Sequence, residues 1–282
     1  MWRRFIPSKR IGESTLHYQT LKTIRTLEQA SLYVQTLRET PEPHKLDERL
    51  TYYRLLLIAQ TPQAVKAQWQ MDIHEHGYRN RHKRLFELID FNDTFVSLVL
   101  LTPIHQRVGL PESLRLEMER FCRSVQSPMF SGEQFEAIVR GLGREIAVYA
   151  AAEQLGYKVR MTSRTQDAFG IDMMIIQPGT EKRMYIDCKT PSAYRHRLEE
   201  LVKHGHISDA QLLQADEEDF ITHNQHHNGD TVPVTLLCIR PDTVGYIHTF
   251  AFDEPARFKL LLERMFNSID DRRVLDIFAK KW

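Results

Sequence analysis

The chain of 282 residues is long enough for one large domain or two modest ones, and its 42% hydrophobic and 27% charged residues are the balance of an ordinary globular protein with a sizeable core. A net charge of +1 announces no nucleic-acid or membrane partner, although a local basic groove can coexist with a neutral total. The three cysteines, Cys122, Cys188 and Cys238, lie far apart without a CxxC spacing, which argues against a disulfide framework or a cysteine zinc site and fits a reducing cytoplasm. The N-terminal MWRRFIPSKRIGES is basic but lacks the apolar run of a signal sequence. The most apolar window, Phe95 to Ile104, falls far short of the ~20 residues of a membrane span. A soluble cytoplasmic chain with no membrane partner is expected.

The first half reads as helical. Glu13 to Thr40 carries Leu21, Ile24, Leu27, Tyr33, Val34 and Leu37 at helical spacing and stops at the prolines of PEPHK. LDERLTYYRLLLIAQ is a second helix, and Thr61-Pro62 has the form of a cap and first helical residue that opens a third. Further helices are expected over Arg81 to Asp90, Thr94 to Gln106 and Pro111 to Gln126. Near Ser127-Pro128 the pattern changes, so a helical N-terminal domain (1–128) and an α/β C-terminal domain (129–282) are expected.

The second half opens on a helix with a capping box, Ser131 with Gln134, a possible staple at Phe130, and a C-terminal stop at Gly156. Strands are expected over Tyr157 to Met161, Gly170 to Ile176 and Arg183 to Lys189, then a polar helix from Arg195 to His223. Strands over Val232 to Arg240 and Gly245 to Phe252 and a helix over Pro255 to Asn267 complete the order.

The informative stretch is GIDMMIIQPGTEKRMYIDCK, Gly170 to Lys189, two apolar runs around a Pro-Gly turn. A turn centred on Gly179 and Thr180 sets Asp172 opposite Asp187. Side chains alternate along a strand, so Lys189 shares their face, while Ile171, Met173 and Ile175 meet Met184, Ile186 and Cys188 on the other. Opposed positions lie roughly 5 Å apart at Cβ, where like charges destabilise. The two carboxylates therefore need a shared cation or proton, and Mg²⁺, which takes oxygen ligands and often only one or two protein carboxylates, answers economically. In the preceding helix Glu145 sits at the edge of the apolar stripe of Ile138, Val139, Leu142, Ile146 and Tyr149. It either supports that site or pairs with Arg144 or Arg164.

Glu145 in GREIAVYAAAEQLGY, Asp172 in GID, and Asp187 with Lys189 in IDCK, in this order of elements, resemble the PD-(D/E)XK nuclease superfamily over roughly residues 130–240. The resemblance implies a mixed α/β, restriction-endonuclease-like core with a central mixed sheet flanked by helices; it says nothing of the all-helical domain in front, which rests on periodicity alone. It implies a Mg²⁺- or Mn²⁺-dependent endonuclease acting on DNA, in a setting of restriction-type defence or, failing that, repair or mobile-element processing. Asp172, Asp187 and Glu145 would be the metal ligands and Lys189 the residue that positions or deprotonates water. Ile171 stands where the family has proline, and Asp187 where it often has glutamate. Gln211 and Gln214 resemble glutamines that some members place near the site, and a homodimer would let both strands be cut. An inactive binding module on the same fold is the competing expectation, and the N-terminal domain would serve recognition, regulation or oligomerisation.

YRNRHKR, with Arg79, Arg81, Lys83 and Arg84, is the strongest basic cluster and a candidate phosphate contact. His204, His206, His223, His226 and His227 form an imidazole-rich region, with HNQHHNGD read as an exposed loop. DEED, Asp216 to Asp219, reads as a solvated face and Asp167 as a turn residue.

Overall fold

Thr26 opens α1 (Leu27–Glu39), its hydroxyl accepting the Gln29 N–H at 3.2 Å. The computed structural model describes residues 20–73, 81–163, 166, 170–180, 182–227 and 230–269. They fall into two compact units, residues 1–135 and 136–282, a boundary slightly beyond the expected one because the first unit takes in the start of the next domain's first helix.

In the first unit α2 (Leu46–Ile73) runs unbroken through Pro62, and α3 (Arg81–Leu101) runs unbroken through Asp93-Thr94. Both breaks expected from the sequence are absent. A proline inside a helix costs about 3 kcal/mol, whereas each buried large apolar side chain returns roughly 1.5–3 kcal/mol. Leu55, Leu57 and Ile58 before Pro62, and Ala64 and Val65 after it, are all buried, so packing on both sides wins. Thr61 donates its hydroxyl to the Leu57 carbonyl at 2.9 Å, and Thr94 does the same to Asp90 at 2.7 Å. α4 (Leu110–Ser124) carries Pro111 in its first turn after a left-handed Gly109 and is tied to α2 by the two-pronged Arg54–Glu117 ion pair.

α5 (Gly132–Gln154) has the expected capping box: Gln134 N–H donates to Ser131 Oγ at 3.1 Å and Ser131 N–H to Gln134 Oε1 at 2.9 Å. Gly156, at φ +86°, ends the helix as expected, and Tyr157 N–H reaches back to the Ala152 carbonyl. Five strands follow: β1 (Lys158–Met161), β2 (Met173–Ile176), β3 (Arg183–Lys189), β4 (Phe220–His227) and β5 (Asp230–Cys238). They make one mixed sheet in the order β1-β2-β3-β5-β4, parallel only between β3 and β5. The chain is thus mixed α/β, and no described helix is long and apolar enough to cross a membrane.

The polar helix expected from Arg195 to His223 is two helices and a strand. α6 (Pro191–Lys203) and α7 (Asp209–Glu218) are separated by Gly205 at φ +70°, and Ser208 and Gln211 cap α7. FITHNQHH is then β4, not a loop, because its Phe220 and Ile221 each find a buried partner on β5, Leu237 and Leu236. Within DEED, Asp219 is buried in the left-handed conformation and paired with Arg240, so that residue is structural rather than solvated. A short α8 (Pro241–Val244) follows β5, and the strand expected over Gly245 to Phe252 is instead a hairpin of two-residue strands, β6 (Ile247–His248) with β7 (Ala251–Phe252), before α9 (Pro255–Ser268).

One sheet face packs Met173, Ile175, Met184, Ile186 and Cys188 against α5 and α9. From α5 it takes Ala147, Val148, Ala151 and Ala152, not the larger Leu142 and Ile146 of the expected stripe. The opposite face packs Leu236, Cys238 and Ile221 against Tyr194, Leu198 and Leu201 of α6. Asp187 and Lys189 pair in register with Leu236 and Cys238, so they belong to this second face.

Candidate active site

The hairpin has the expected register. Met173 opposes Ile186 and Ile176 opposes Arg183, around a turn in which Gly179 adopts φ +76° and Gln177 N–H donates to the Lys182 carbonyl. The ladder stops at Met173, one residue short of Asp172. There the Asp172 N–H bends back to the Ile186 carbonyl at 2.8 Å, and the Asp172 carboxylate takes the place of the missing strand by accepting the Cys188 N–H at 2.7 Å. The departure also moves Ile171: it packs with Tyr185, Val232 and Val234, not with Met173 and Ile175 as strict alternation would have it.

Asp172 and Asp187 are both buried, at 8% and 3% exposure, and this matters because two carboxylates cannot both be charged there without compensation. Burial raises the Asp172 carboxyl, against the pull of the Lys189 ammonium and the Cys188 N–H. Burial, then the Asp172 charge, pushes Asp187 up to about 7, although Lys189 and Arg197 draw it down. Asp187 Oδ1 is ion-paired with Lys189 Nζ but accepts no hydrogen bond of ordinary geometry. Burial alone would depress Lys189; the charges of Asp172, Asp187 and Glu145 outweigh it and hold the ammonium above its usual range.

Glu145 is half-buried and within electrostatic reach of Lys189 and Cys188. It does not complete a metal-ligating cluster: among the described residues no three His, Cys, Asp or Glu side chains are arranged to hold an ion. The expected three-acid set is therefore a pair of acids with a more distant third. Arg144, offered as its partner, donates to the Arg140 carbonyl instead, and Arg164 lies outside the described residues.

Gln211 belongs elsewhere, since its side chain accepts the Ser208 N–H in the α7 cap. Gln214 is exposed on the same helix. Arg79 and Asp167 lie outside the described residues, and of Arg81, Lys83 and Arg84 only the backbone, at the head of α3, is described. His204 and His206 are exposed neighbours, their rings 6.3 Å apart, while His223 is buried and pushed down to about 4 by burial and by Arg197.

Two neighbours of the acid pair escaped the sequence reading. Arg197 follows Tyr194 and precedes Leu198 on the sheet-facing side of α6, and it acts electrostatically on both Asp187 and His223. Its place in an apolar stripe was the available signal. Gly170 is the other. It sits at φ +79°, and a methyl group there would meet Asp187 Oδ2 at 3.4 Å. Gly170→Ala is expected to cost roughly 1–2 kcal/mol in a denaturant titration, from left-handed strain on a β-carbon set against the buried carboxylate.

Comparison with known protein families, curated proteins and solved structures finds no match to this chain.

Proposed function

We propose that the chain is a divalent-cation-dependent nuclease that hydrolyses DNA phosphodiester bonds at Asp172, Asp187 and Lys189, on a restriction-endonuclease-like core. The observation that carries this reading is the hairpin register. It brings two buried carboxylates beside one ammonium, with an Asp187 oxygen ion-paired to that ammonium but in no hydrogen bond of ordinary geometry. Such oxygens suit a hard cation, and Mg²⁺ is content with one or two protein carboxylates and several waters. Asp172 and Asp187 would hold the ion, with Glu145 behind them; when bound it would polarise the phosphoryl group and acidify a water.

The remaining work falls to the chain's own groups. The Cys188 N–H fixes the Asp172 carboxylate, so one ligand is oriented before any ion arrives. Lys189, held positive by its acidic neighbours, offers charge to the attacked phosphate and orients water by donation; a group raised in this way is a poor proton acceptor at neutral pH. Arg197 adds positive charge on the α6 side of Asp187.

Plasmid, linear duplex, single strands and RNA incubated with Mg²⁺, Mn²⁺ or EDTA test the reading. Metal-dependent cutting of DNA that is lost in Asp187→Ala is the expected result. Cutting that survives EDTA or the substitution would overturn the metal mechanism, and binding of every substrate without cutting would favour the inactive module.

A further inference from the structure

The row of α5 that carries Ala147 and Ala151 into the sheet core continues toward the helix N-terminus, at spacings of three and four, as Arg144 and Arg140. Arg144 lies within electrostatic reach of Cys188 and Cys238, the first beside Lys189 in the chain and the second its register partner on β5. Lys189 and Cys238 are the last residues of their strands. The row thus turns from alanine to arginine where the helix passes the sheet end that carries the acid pair. Arg144 is half-buried and Arg140 exposed.

Nothing among the described residues compensates this pair. Among the described residues neither guanidinium meets a carboxylate, and Arg144 donates from Nη1 only to the Arg140 carbonyl at 2.6 Å. Arg144 is lowered by burial and then by the Arg140 charge. Like charges one turn apart on a helix repel. The same turn, RGLGR, contains two glycines, which are poor helix formers in a helix interior. Internal packing does not demand them: a β-carbon on Gly141 would face open space, and one on Gly143 would make ordinary contact with Phe250 at 3.7 Å. On the helix surface Gly141 falls between Arg144 and Glu145. Two guanidinia that meet no carboxylate among the described residues, with bare helix surface at Gly141 beside them, fit the close approach of an anionic backbone from outside.

We propose that Arg140 and Arg144 form a phosphate subsite that holds the nucleic-acid backbone beside the phosphate attacked at Asp172 and Asp187, so that the strand runs from the end of β3 along the N-terminal half of α5. The proposal rests on the nuclease reading for the identity of the polyanion. Arg197 does not serve equally, because it is already engaged by Glu200 at 3.1 Å.

The test reads binding without cleavage: a labelled duplex, a single strand and an RNA of equal length, with Ca²⁺ or EDTA, across a salt series. In Arg140→Gln/Arg144→Gln the slope of log affinity against log salt should fall by about 2, with at least a tenfold loss of affinity at low salt. Arg140→Lys/Arg144→Lys should keep most of the slope, and Arg257→Gln, which removes an arginine paired with Glu254, should leave it unchanged. The polymer bound most tightly identifies the strand type, and inorganic phosphate competing equally well would place a single free anion there instead. An unchanged slope in the glutamine variant, or no polyanion binding by the wild type, overturns the subsite. Failure of the nuclease reading appears separately, as slope-dependent binding with no metal-dependent cutting.

Discussion

Asp187→Asn is expected to stabilise the cation-free protein at pH 8 and to leave its stability unchanged at pH 4. The folded state raises this carboxyl from its ordinary 3.8 to about 7. An acid raised on folding binds its proton more tightly in the native chain, so its contribution to stability is lost as pH climbs from the unfolded value to the folded one. Over that window the loss is on the order of 4 kcal/mol, at ~1.4 kcal/mol for each pH unit. Asp172 is shifted in the same direction and adds to the trend. His223 works against it: a buried imidazole lowered to about 4 makes stability rise with pH between that value and its ordinary 6.5. The difference between variant and wild type cancels the His223 term, and so the substitution, not the wild-type profile alone, is the informative measurement. Urea titrations in EDTA at several pH values should show the gap opening between pH 4 and 7. Mg²⁺ or Mn²⁺ should then close it by stabilising the wild type and not the variant. Equal stability at pH 8, or equal response to metal, would mean that Asp187 is not the strained ligand proposed here.

The same pair shows what a sequence discloses. The register was legible because only one pairing separates Met173, Ile175, Met184 and Ile186 from Asp187 and Lys189, and a one-residue slip would have mixed the sets. Ile171 was misplaced because the alternation rule assumes that the ladder continues, and the ladder ends at Met173 once the Asp172 carboxylate takes over the Cys188 N–H. A side chain acting as a surrogate strand leaves no periodic trace. β4 was hidden for a different reason. FITHNQHH is polar on average, and its strand character depends on Phe220, Ile221 and His223 being covered by β5, α6 and α9 neighbours distant in sequence. The long helices across Pro62 and Asp93-Thr94 likewise follow from burial on both sides of the weak point. Caps such as Ser131 with Gln134 were readable because both partners lie within one turn.

The largest loss is expected from Lys189→Met, in both stability and rate. In the cation-free protein at pH 8, Lys189 is the direct ion-pair partner of Asp187, and its side chain is mostly buried. Removing one partner of a buried pair leaves an uncompensated charge, a penalty of roughly 3–5 kcal/mol. Low pH should relieve much of it, because Asp187 can then take a proton. Asp187→Asn/Lys189→Met removes both charges and should therefore recover most of the stability that Lys189→Met loses. The recovery is read as the coupling in a double-mutant cycle from denaturant unfolding. Metal should stabilise Lys189→Met more than the wild type, since a divalent ion replaces the missing positive charge. Turnover behaves differently. Loss of a positioned ammonium beside the attacked phosphate is expected to lower kcat by about 10²–10⁴-fold, and metal cannot restore it because the carboxylates already hold the ion. A Lys189→Met protein that regains both stability and turnover with Mg²⁺ would reduce Lys189 to a counterion. One that regains stability alone would separate the ammonium's structural role from its chemical one.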